Sequence, residues 1–321
     1  MMKSALLVLL AAAAAAQQPA IENAKLDTRP FAGSLSAQLA QFGAGPFWAG
    51  YSEPTAAGRQ EYCNERATGA PLRLEGDSAL VVLVRIGNGQ VDRLRVSSPD
   101  CQLDGGGLAF HWIENVPADA SVAWLKSQTA GSHADQAIFA IAQHSGAAAD
   151  RALDDFSAPG QPEKVREKTA FWLGVSRGAR GVEVLKRMLA GDPDDKVRQQ
   201  VVFGLSLSKD PAGMKAVIDA ARSDRSPLVR RQALFWLAQT AGDKQAAEVI
   251  GNAALNDSDR AVKESAVFAL RQLPPDKGIP LLISLAKNNS DPDVRKRAMF
   301  WLGQSNDPRA VEFIEQILKR P

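Results

Sequence analysis

The second half of the chain repeats one arrangement of apolar and polar positions five times. Each copy begins with a valine and a basic residue, continues with two polar positions and a small residue, and closes on a leucine. The copies read VREKTAFWL, VRQQVVFGL, VRRQALFWL, VKESAVFAL and VRKRAMFWL, and they start at Val165, Val197, Val229, Val262 and Val294. Such a near-constant spacing is typical of a solenoid, in which each unit buries its apolar face only against its neighbours.

Each unit is predicted to contain two helices. Residues that can cap free backbone amides stand three places before four of the valines, at Asp194, Ser226, Asp259 and Asp291. A second start signal comes shortly after the leucine that closes the cassette, at Asp210, Gly242, Pro275 and Asp307. On a helical wheel the valine, the small residue and the leucine face one side, which predicts the core-facing stripe of the first helix.

A degenerate sixth unit precedes the five clear ones. Phe139 stands one repeat length before Phe171, and Ile141 stands one repeat length before Leu173. Terminal units of repeat proteins are commonly atypical. An α-solenoid is therefore predicted over residues 117–321, with one degenerate and five clear repeats.

Residues 20–116 follow a different pattern, which predicts a small β-rich domain. A short amphipathic stretch, Leu35–Phe42, favours a helix. The clearest strands are Ala79–Ile86 and Gln90–Ser97, and the Gly-Asn-Gly sequence between them predicts a hairpin. A further strand is expected at Leu108–Ile113. The predicted fold class is mostly α, with the solenoid preceded by a small β-rich (α+β) domain.

The start of the chain, residues 1–16, has the pattern of a secretory signal peptide. Lys3 precedes an apolar run from Ala5 to Ala16, and the alanines at its end suit cleavage after Ala16. The run is too short to span a membrane, so no membrane span is expected once the signal is cleaved. An uncleaved anchor is the alternative. The mature protein is predicted to be exported, either periplasmic or secreted.

Two cysteines, Cys63 and Cys101, are predicted to form a disulfide, because an even pair in an exported chain favours one. A bridge across a loop of this length would stabilise the domain by about 3–4 kcal/mol. A reactive thiol or a metal ligand is the alternative. His111 lies ten places beyond Cys101, which is not a known ligand spacing.

Composition and charge narrow the function classes. The chain of 321 residues is 45% hydrophobic and 23% charged, which is typical of a packed globular protein. A formal net charge of +2 gives no strong attraction to nucleic acid. The sequence holds no HExxH motif, and His111, His133 and His144 do not have a ligand spacing. We therefore expect no metal, no cofactor and no enzyme activity.

The repeated segment resembles HEAT-repeat proteins, on the valine–arginine pair, the small residue, the leucine and the aspartate-proline turns described above. It is similar to the bacterial kind grouped with the HEAT-like repeats of phycobilin lyases. The resemblance covers Gln136 to Leu318 and implies a right-handed α-solenoid. HEAT families are mostly protein-binding scaffolds, and the fold alone supplies no activity.

A phenylalanine stands six places after every valine, on a helix face whose neighbouring positions are polar. With one more at the same phase in the degenerate unit, the set is Phe139, Phe171, Phe203, Phe235, Phe268 and Phe300. If this face is exposed, the set forms an apolar stripe that could bind a partner helix or an extended peptide. If it is covered, the phenylalanines pack between successive repeats. Both interpretations remain open.

Two further positions of the cassette are regular. Seven places after the valine stand Trp172, Gly204, Trp236, Ala269 and Trp301, and this alternation of large and small residues predicts packing, with a ligand-binding tryptophan cluster as the alternative. One place after the valine stand Arg166, Arg198, Arg230, Lys263 and Arg295. We expect a structural ladder in which these bases pair with acids such as Asp194, Asp259 and Asp291. Binding of an acidic partner is the alternative.

The sequence favours an exported interaction scaffold that binds a protein or peptide along the solenoid. The alternative is an enzyme or ligand sensor whose site lies in the N-terminal domain or at the seam between the two regions. Its candidate residues are Trp48, Tyr51, Cys63, Asp104 and His111. The last helix has no capping repeat after it, which favours a homodimer through that helix.

Overall fold

The computed structural model describes residues 18–56, 79–239 and 244–319. The chain divides into two compact units, Met1–Ala152 and Leu153–Pro321. The described residues form seven strands, all in the first unit, and fourteen helices, most of them in the second. The predicted class, a mostly helical repeat array preceded by a strand-rich region, is confirmed.

The first unit contains one five-stranded sheet and one two-stranded sheet. Its strands are β1 (Ala20–Glu22), β2 (Lys25–Pro30), β3 (Phe47–Pro54), β4 (Ala79–Gly87), β5 (Gln90–Ser97), β6 (Gln102–Asp104) and β7 (Ala109–Glu114). The larger sheet has the order β2-β7-β3-β4-β5, and β1 pairs with β6. Three helices belong to this unit: α1 (Leu35–Gln41), α2 (Ala118–Ser127) and α3 (Ala134–Gln143).

The predicted hairpin is confirmed as the antiparallel pair β4–β5. Its turn places Asn88 at φ 52° and Gly89 at φ 70°, the left-handed backbone that tight two-residue hairpin turns require. Helix α1 and strand β7 also lie where the sequence predicts them. Strands β1, β2, β3 and β6 are additional, and β3 is central to the larger sheet.

The larger sheet is covered on both faces. On one face Ile21 of β1 and Leu103 of β6 pack against a cluster that consists of Val81, Leu83, Phe110 and Trp112, and Trp48 packs there too. On the other face the Tyr51 hydroxyl lies 2.8 Å from the Ser121 hydroxyl of α2, and Ser121 lies 2.8 Å from His144 Nε2 at the end of α3. Helices α2 and α3 therefore belong to the first unit, although the sequence predicts the array from residue 117 onward.

The second unit is built from helix pairs. Helix α4 (Ala147–Phe156) crosses the division between the units. The first helix of each clear repeat, which we call an A helix, is α5 (Glu163–Ser176), α7 (Asp195–Leu207), α9 (Pro227–Gln239), α11 (Arg260–Gln272) or α13 (Pro292–Gly303). The second, a B helix, is α6 (Gly178–Gly191), α8 (Pro211–Ser223), α10 (Lys244–Asn256), α12 (Pro275–Asn288) or α14 (Pro308–Leu318).

The helix boundaries follow the predicted capping residues. Asp194, Asp259 and Asp291 are the N-caps of α7, α11 and α13, and each accepts a hydrogen bond from an amide of its own helix. Asp210 and Asp307 cap two B helices in the same way. The start signal at Gly242 lies outside the described residues. Capping therefore fixes the register of the repeat along the chain.

The predicted stripe forms the core of the array. Four cassette valines and all five leucines are buried, and Val165, in the first clear repeat, is half-buried. Burying such side chains contributes about 1.5–3 kcal/mol each. The array is therefore held together by this stripe, and other faces of the A helices are free to carry other chemistry.

Helices α5 and α7 approach each other closely at Gly204. A Cβ at this position would lie 2.4 Å from the Ala170 carbonyl oxygen, far inside van der Waals contact. We expect Gly204→Ala to destabilise the protein by about 1–2 kcal/mol, because overpacking outweighs the helix propensity that alanine adds. Urea unfolding measures the loss.

Gly303→Ala is the matched control, since a Cβ there meets no atom within 4 Å. It is expected to unfold at the same urea concentration as the wild type or higher. A Gly204→Ala protein as stable as Gly303→Ala would show that α5 and α7 can separate without cost.

Candidate functional site

The phenylalanines of the A helices form a row that is more exposed toward its C-terminal end. Phe171 and Phe203 are half-buried, whereas Phe235 and Phe268 are each 40% exposed and Phe300 is 56% exposed. Each of the two interpretations of this row therefore describes part of it. Phe139 is half-buried on α3 in the first unit, so the row on the A helices runs from Phe171 to Phe300.

Ring contacts connect successive A helices along this row. Phe171 meets Phe203 with centroids 5.7 Å apart, and Phe203 stacks on Trp236 at 4.6 Å. Phe268 meets Trp301 at 5.5 Å. A phenylalanine of one repeat thus contacts a ring of the next, which is the geometry that aromatic pairs favour.

The tryptophans lie between the core and this row. Gly204 and Ala269 are buried as predicted, but Trp172, Trp236 and Trp301 are half-buried because their rings reach out to the phenylalanines. Each of them also meets the phenylalanine beside it edge to face, with centroids 4.8–5.0 Å apart. We call the five phenylalanines and three tryptophans the aromatic face.

The aromatic face is interrupted at Ala269, where the repeat pattern supplies no tryptophan. A groove of about 330 Å³ opens there, with Leu228, Phe235, Phe268 and Ala269 as its apolar lining. Its polar lining consists of Gln199, Arg231, Gln232, Ser265 and Gln272. We call this groove the Ala269 notch.

The charge at the Ala269 notch is positive. Arg231 is its one charged lining residue, and its Nε donates a hydrogen bond to the Ser265 hydroxyl at 2.9 Å. Glu264, which precedes the lining residue Ser265 in sequence, forms ion pairs with Arg260 at 3.1 Å and with Arg297 at 2.8 Å. The notch therefore favours an apolar group accompanied by a negative charge.

The basic ladder lies away from the aromatic face and is engaged in pairing. Arg166 and Arg230 each place two guanidinium nitrogens on one carboxylate, that of Asp192 and that of Asp257. Arg198, fully buried, contacts Asp195 and Asp224, and Arg295 donates to the carbonyls of Asn289 and Ser290. Lys263 is half-buried and contributes positive charge near Asp257.

The acids of this ladder are different from those the sequence suggested. Asp194, Asp259 and Asp291 are occupied as N-caps. The pairing acids stand five places before the valine, at Asp192, Asp224 and Asp257, with Asn289 at the same position of the last repeat. An alignment of the repeats on their cassette valines places these residues at one shared position, which is the signal in the sequence that could have identified them.

One pairing acid shows the electrostatic consequence of this arrangement. Burial alone would raise the pKa of the Asp257 carboxyl, but hydrogen bonds from Arg230 and from the Asp259 amide hold that pKa below its ordinary value. The Asp257 carboxylate therefore stays paired with Arg230, and this pair joins two successive repeats.

The candidate residues of the N-terminal domain do not converge on one site. Trp48 packs on one face of the larger sheet, whereas the Tyr51 hydroxyl bonds to Ser121 on the other. Asp104 is exposed and accepts hydrogen bonds from the Gly106 amide at 2.8 Å and the Asn23 side chain at 3.0 Å, which lower its pKa. Cys63 lies outside the described residues.

Neighbouring side chains of the same unit hold the His111 ring in place. Its ring stacks on Phe42 with centroids 4.0 Å apart, and its Nδ1 lies 3.2 Å from a carboxylate oxygen of Asp27 on the neighbouring strand. Cys101 is buried. The disulfide with Cys63 stays a prediction.

A polar network that the sequence did not indicate lies buried beside Tyr51. Glu53, on the same face of β3, is 3% exposed, and its Oε1 has no hydrogen-bond partner among the described residues. Burial raises the pKa of this carboxyl to about 8. Ser121 and His144 are each 0% exposed, so their 2.8 Å contact is closed to a substrate.

The first unit has its own groove of about 660 Å³, between α1, the β4–β5 hairpin and the end of α2. His133 is its one titratable lining residue, and its Nε2 lies 3.0 Å from the Val91 carbonyl oxygen. No pair of acid and base is therefore assembled by the groove's lining.

The described residues contain neither a cluster of metal ligands nor a helix suited to crossing a membrane. No group of three or more His, Cys, Asp or Glu side chains in this part of the chain is placed to hold a metal ion. None of the described helices combines the length and the apolar character that crossing a membrane requires.

The HEAT-repeat model matches residues 157–238, 214–289 and 247–321, which together span just over half of the 321-residue chain. No curated protein matches the sequence. The chain is similar in structure to the complex of CpcE and CpcF of phycocyanin lyase from Nostoc sp. PCC7120, at 22% identity and a TM-score of 0.36, over 49% of this chain and 99% of that one. It is also similar to human deoxyhypusine hydroxylase in complex with glycerol, at 15% identity and a TM-score of 0.28, over 64% of this chain and 91% of that one.

Proposed function

The chain belongs to the HEAT-repeat family, and from this premise we propose that it is an interaction scaffold whose aromatic face binds a protein or peptide. The observation that carries the proposal is the exposure of three phenylalanines on successive A helices. Phe235, Phe268 and Phe300 are 40%, 40% and 56% exposed at the same position of three repeats. Apolar side chains exposed in a row are characteristic of binding surfaces.

Core packing does not account for this exposure. The valines and leucines of the same helices already fill the interior, and they are buried in the repeats that carry the exposed rings. Polar substitutions at the three phenylalanines would therefore leave this valine and leucine interior in place. Their recurrence is better explained by a partner that covers them, as a helix or peptide covers an apolar groove.

The proposal extends to location and to chemistry. We propose that the chain is exported and binds without catalysing a reaction, and that Cys63 and Cys101 form a structural disulfide. The basic start and apolar run before Gln17 support export. The buried position of Ser121, His144 and Glu53 supports a structural role for the polar groups that otherwise suggest catalysis. A homodimer through α14 remains a prediction.

Binding is expected to depend on the exposed phenylalanines. The full-length triple variant, Phe235→Ser with Phe268→Ser and Phe300→Ser, is immobilised and incubated with cell-envelope extract. It should lose at least one specific protein that the immobilised wild type captures. Affinity for that protein, once purified, should fall by about tenfold or more, because central apolar side chains dominate such interfaces. Quantitative mass spectrometry and then calorimetry measure the two effects.

Two apolar residues of B helices provide a matched control. Leu255 and Val311 are 44% and 48% exposed, much like the phenylalanines. Leu255→Ser with Val311→Ser should keep the captured protein. If the triple variant, folded by circular dichroism, captures the same proteins as the wild type, the aromatic face is not the binding surface.

A further inference from the structure

We propose that the partner inserts one aromatic side chain, with a carboxylate beside it in sequence, into the Ala269 notch. The inserted ring would take the place of the tryptophan that this repeat lacks. This inference rests on the proposed function and names the chemistry of the segment that binds. The occupant is a linear peptide segment of another protein.

The neighbouring repeats show what the notch lacks. Where a tryptophan follows in the next A helix, the phenylalanine before it has a ring partner, as Phe203 has Trp236 at 4.6 Å and Phe268 has Trp301 at 5.5 Å. After Phe235 the next A helix offers Ala269. Phe235 contacts the Trp236 ring of its own helix at 5.0 Å and borders open space on the other side.

The other small residue at this cassette position does not leave such a space. At Gly204 the helices approach so closely that a Cβ would lie 2.4 Å from the Ala170 carbonyl oxygen. Phe171 meets Phe203 there at 5.7 Å. Closing the helices together removes the gap at Gly204, whereas at Ala269 a groove of about 330 Å³ remains.

The walls of the notch select an aromatic side chain. Phe235 and Phe268 present ring surface on either side, and Leu228 adds apolar surface that is 48% exposed. An inserted ring would gain both area burial and the stacking or edge contacts that aliphatic side chains cannot make, and such contacts are characteristic of aromatic pairs.

The rim of the notch selects a negative charge. Arg231 is exposed, Gln199, Gln232 and Gln272 also line the notch, and no acid is found among its lining residues. A guanidinium can form two parallel hydrogen bonds with a carboxylate. An aspartate or glutamate adjacent to the aromatic residue of the partner would therefore be favoured at the rim.

A phage-displayed library of random linear peptides, selected against the immobilised full-length protein, tests the inference. The selected peptides should be enriched in an aromatic residue adjacent to an acid. Ala269→Trp should weaken their binding by about tenfold or more, because the new ring would fill the notch, as Trp236 and Trp301 fill the same position in their own repeats. Arg231→Gln should weaken it by about fivefold at most, and less at high salt.

Two further variants keep the test decisive. Leu255→Trp adds a ring on a B helix and should leave peptide binding unchanged. Phe235→Leu keeps apolar volume but removes one ring wall, so it should reduce the preference for an aromatic over a leucine at the inserted position, even if Ala269→Trp does not fold. Selected peptides without the aromatic–acid pair, or equal binding to a folded Ala269→Trp protein, would overturn the inference.

Binding of the natural partner to two variants distinguishes failure of this inference from failure of the proposed function. Loss of the partner in the triple phenylalanine variant but full binding to Ala269→Trp would refute the notch and leave the scaffold intact. Full binding to both variants would refute both.

Discussion

Glu53→Gln is expected to stabilise the first unit increasingly as pH rises from 4.5 to about 8, and to remove the pH dependence that this carboxyl causes. Glu53 is buried, and burial raises its pKa to about 8 from an ordinary value of 4.5. A carboxyl with a raised pKa is neutral in the folded protein, so its contribution is fully present below about pH 4.5 and is lost as pH rises through 8. Glutamine keeps the shape and stays neutral throughout.

The expected gain is on the order of 5 kcal/mol at pH 9 and close to zero at pH 4, since one pKa unit corresponds to about 1.4 kcal/mol. Hydrogen exchange of peptides from the first unit, measured at several pH values, resolves this gain from any change in the repeat array. Glu114→Gln, at the exposed end of β7, is the control and should follow the wild-type curve. A Glu53→Gln protein that also follows the wild-type curve would show that Glu53 ionises freely in the folded state.

Arg198→Met is expected to destabilise the repeat array by about 3–5 kcal/mol, because it leaves a buried charge without compensation. Arg198 is fully buried between two repeats, and its guanidinium contacts Asp224, whose side chain is 7% exposed, at 3.3 Å. Methionine fills much of the volume but removes the main counter-charge of the Asp224 carboxylate. Urea unfolding at neutral pH measures the loss.

A second substitution should recover much of that stability. Asp224→Asn in the Arg198→Met background removes the buried charge and keeps an oxygen for the Ser226 amide, as Asn289 does for the Asp291 amide. Arg187→Met breaks an exposed pair with Asp154 and should cost less than about 1 kcal/mol. An Arg198→Met loss as small as that of Arg187→Met would mean that the ladder is not a structural element.

The repeat array could be predicted from the sequence because its determinants are local and recur. Asp194, Asp210, Asp259, Asp291 and Asp307 each start a helix within their own repeat, and the valine and leucine of one cassette define one buried stripe. Five copies of one signal remove the ambiguity that a single copy leaves. The pairing acids recur just as regularly. Capping acids stand two places after them, however, and the sequence alone does not show which of the two pairs with the arginine.

The sheet was harder to predict because its pairing is not local. Strand β2 pairs in parallel with β7, bringing Lys25 opposite Ala109, and β1 pairs in parallel with β6. Strand β3 is buried on both faces, so its sequence does not alternate between apolar and polar residues. No local pattern in the chain specifies such partners.

The exposure of the phenylalanines could not be predicted either. All five share one position of the cassette, and a helical wheel assigns them one angle. Their burial differs because neighbouring A helices differ in ring content and separation, from the close contact at Gly204 to the open groove at Ala269. Exposure is thus set by neighbouring repeats rather than by the repeat itself.

Site-specific photo-crosslinking tests the central claim most directly. A photoreactive phenylalanine analogue would replace Gln199 or Gln232, on the aromatic side of A helices, or Lys215 or Glu248, exposed on B helices. If the aromatic face binds the partner, the A-helix positions will crosslink to one and the same protein and the B-helix positions will not. Crosslinks from Lys215 and Glu248, with none from Gln199 and Gln232, would contradict the account and place the binding surface on the B helices.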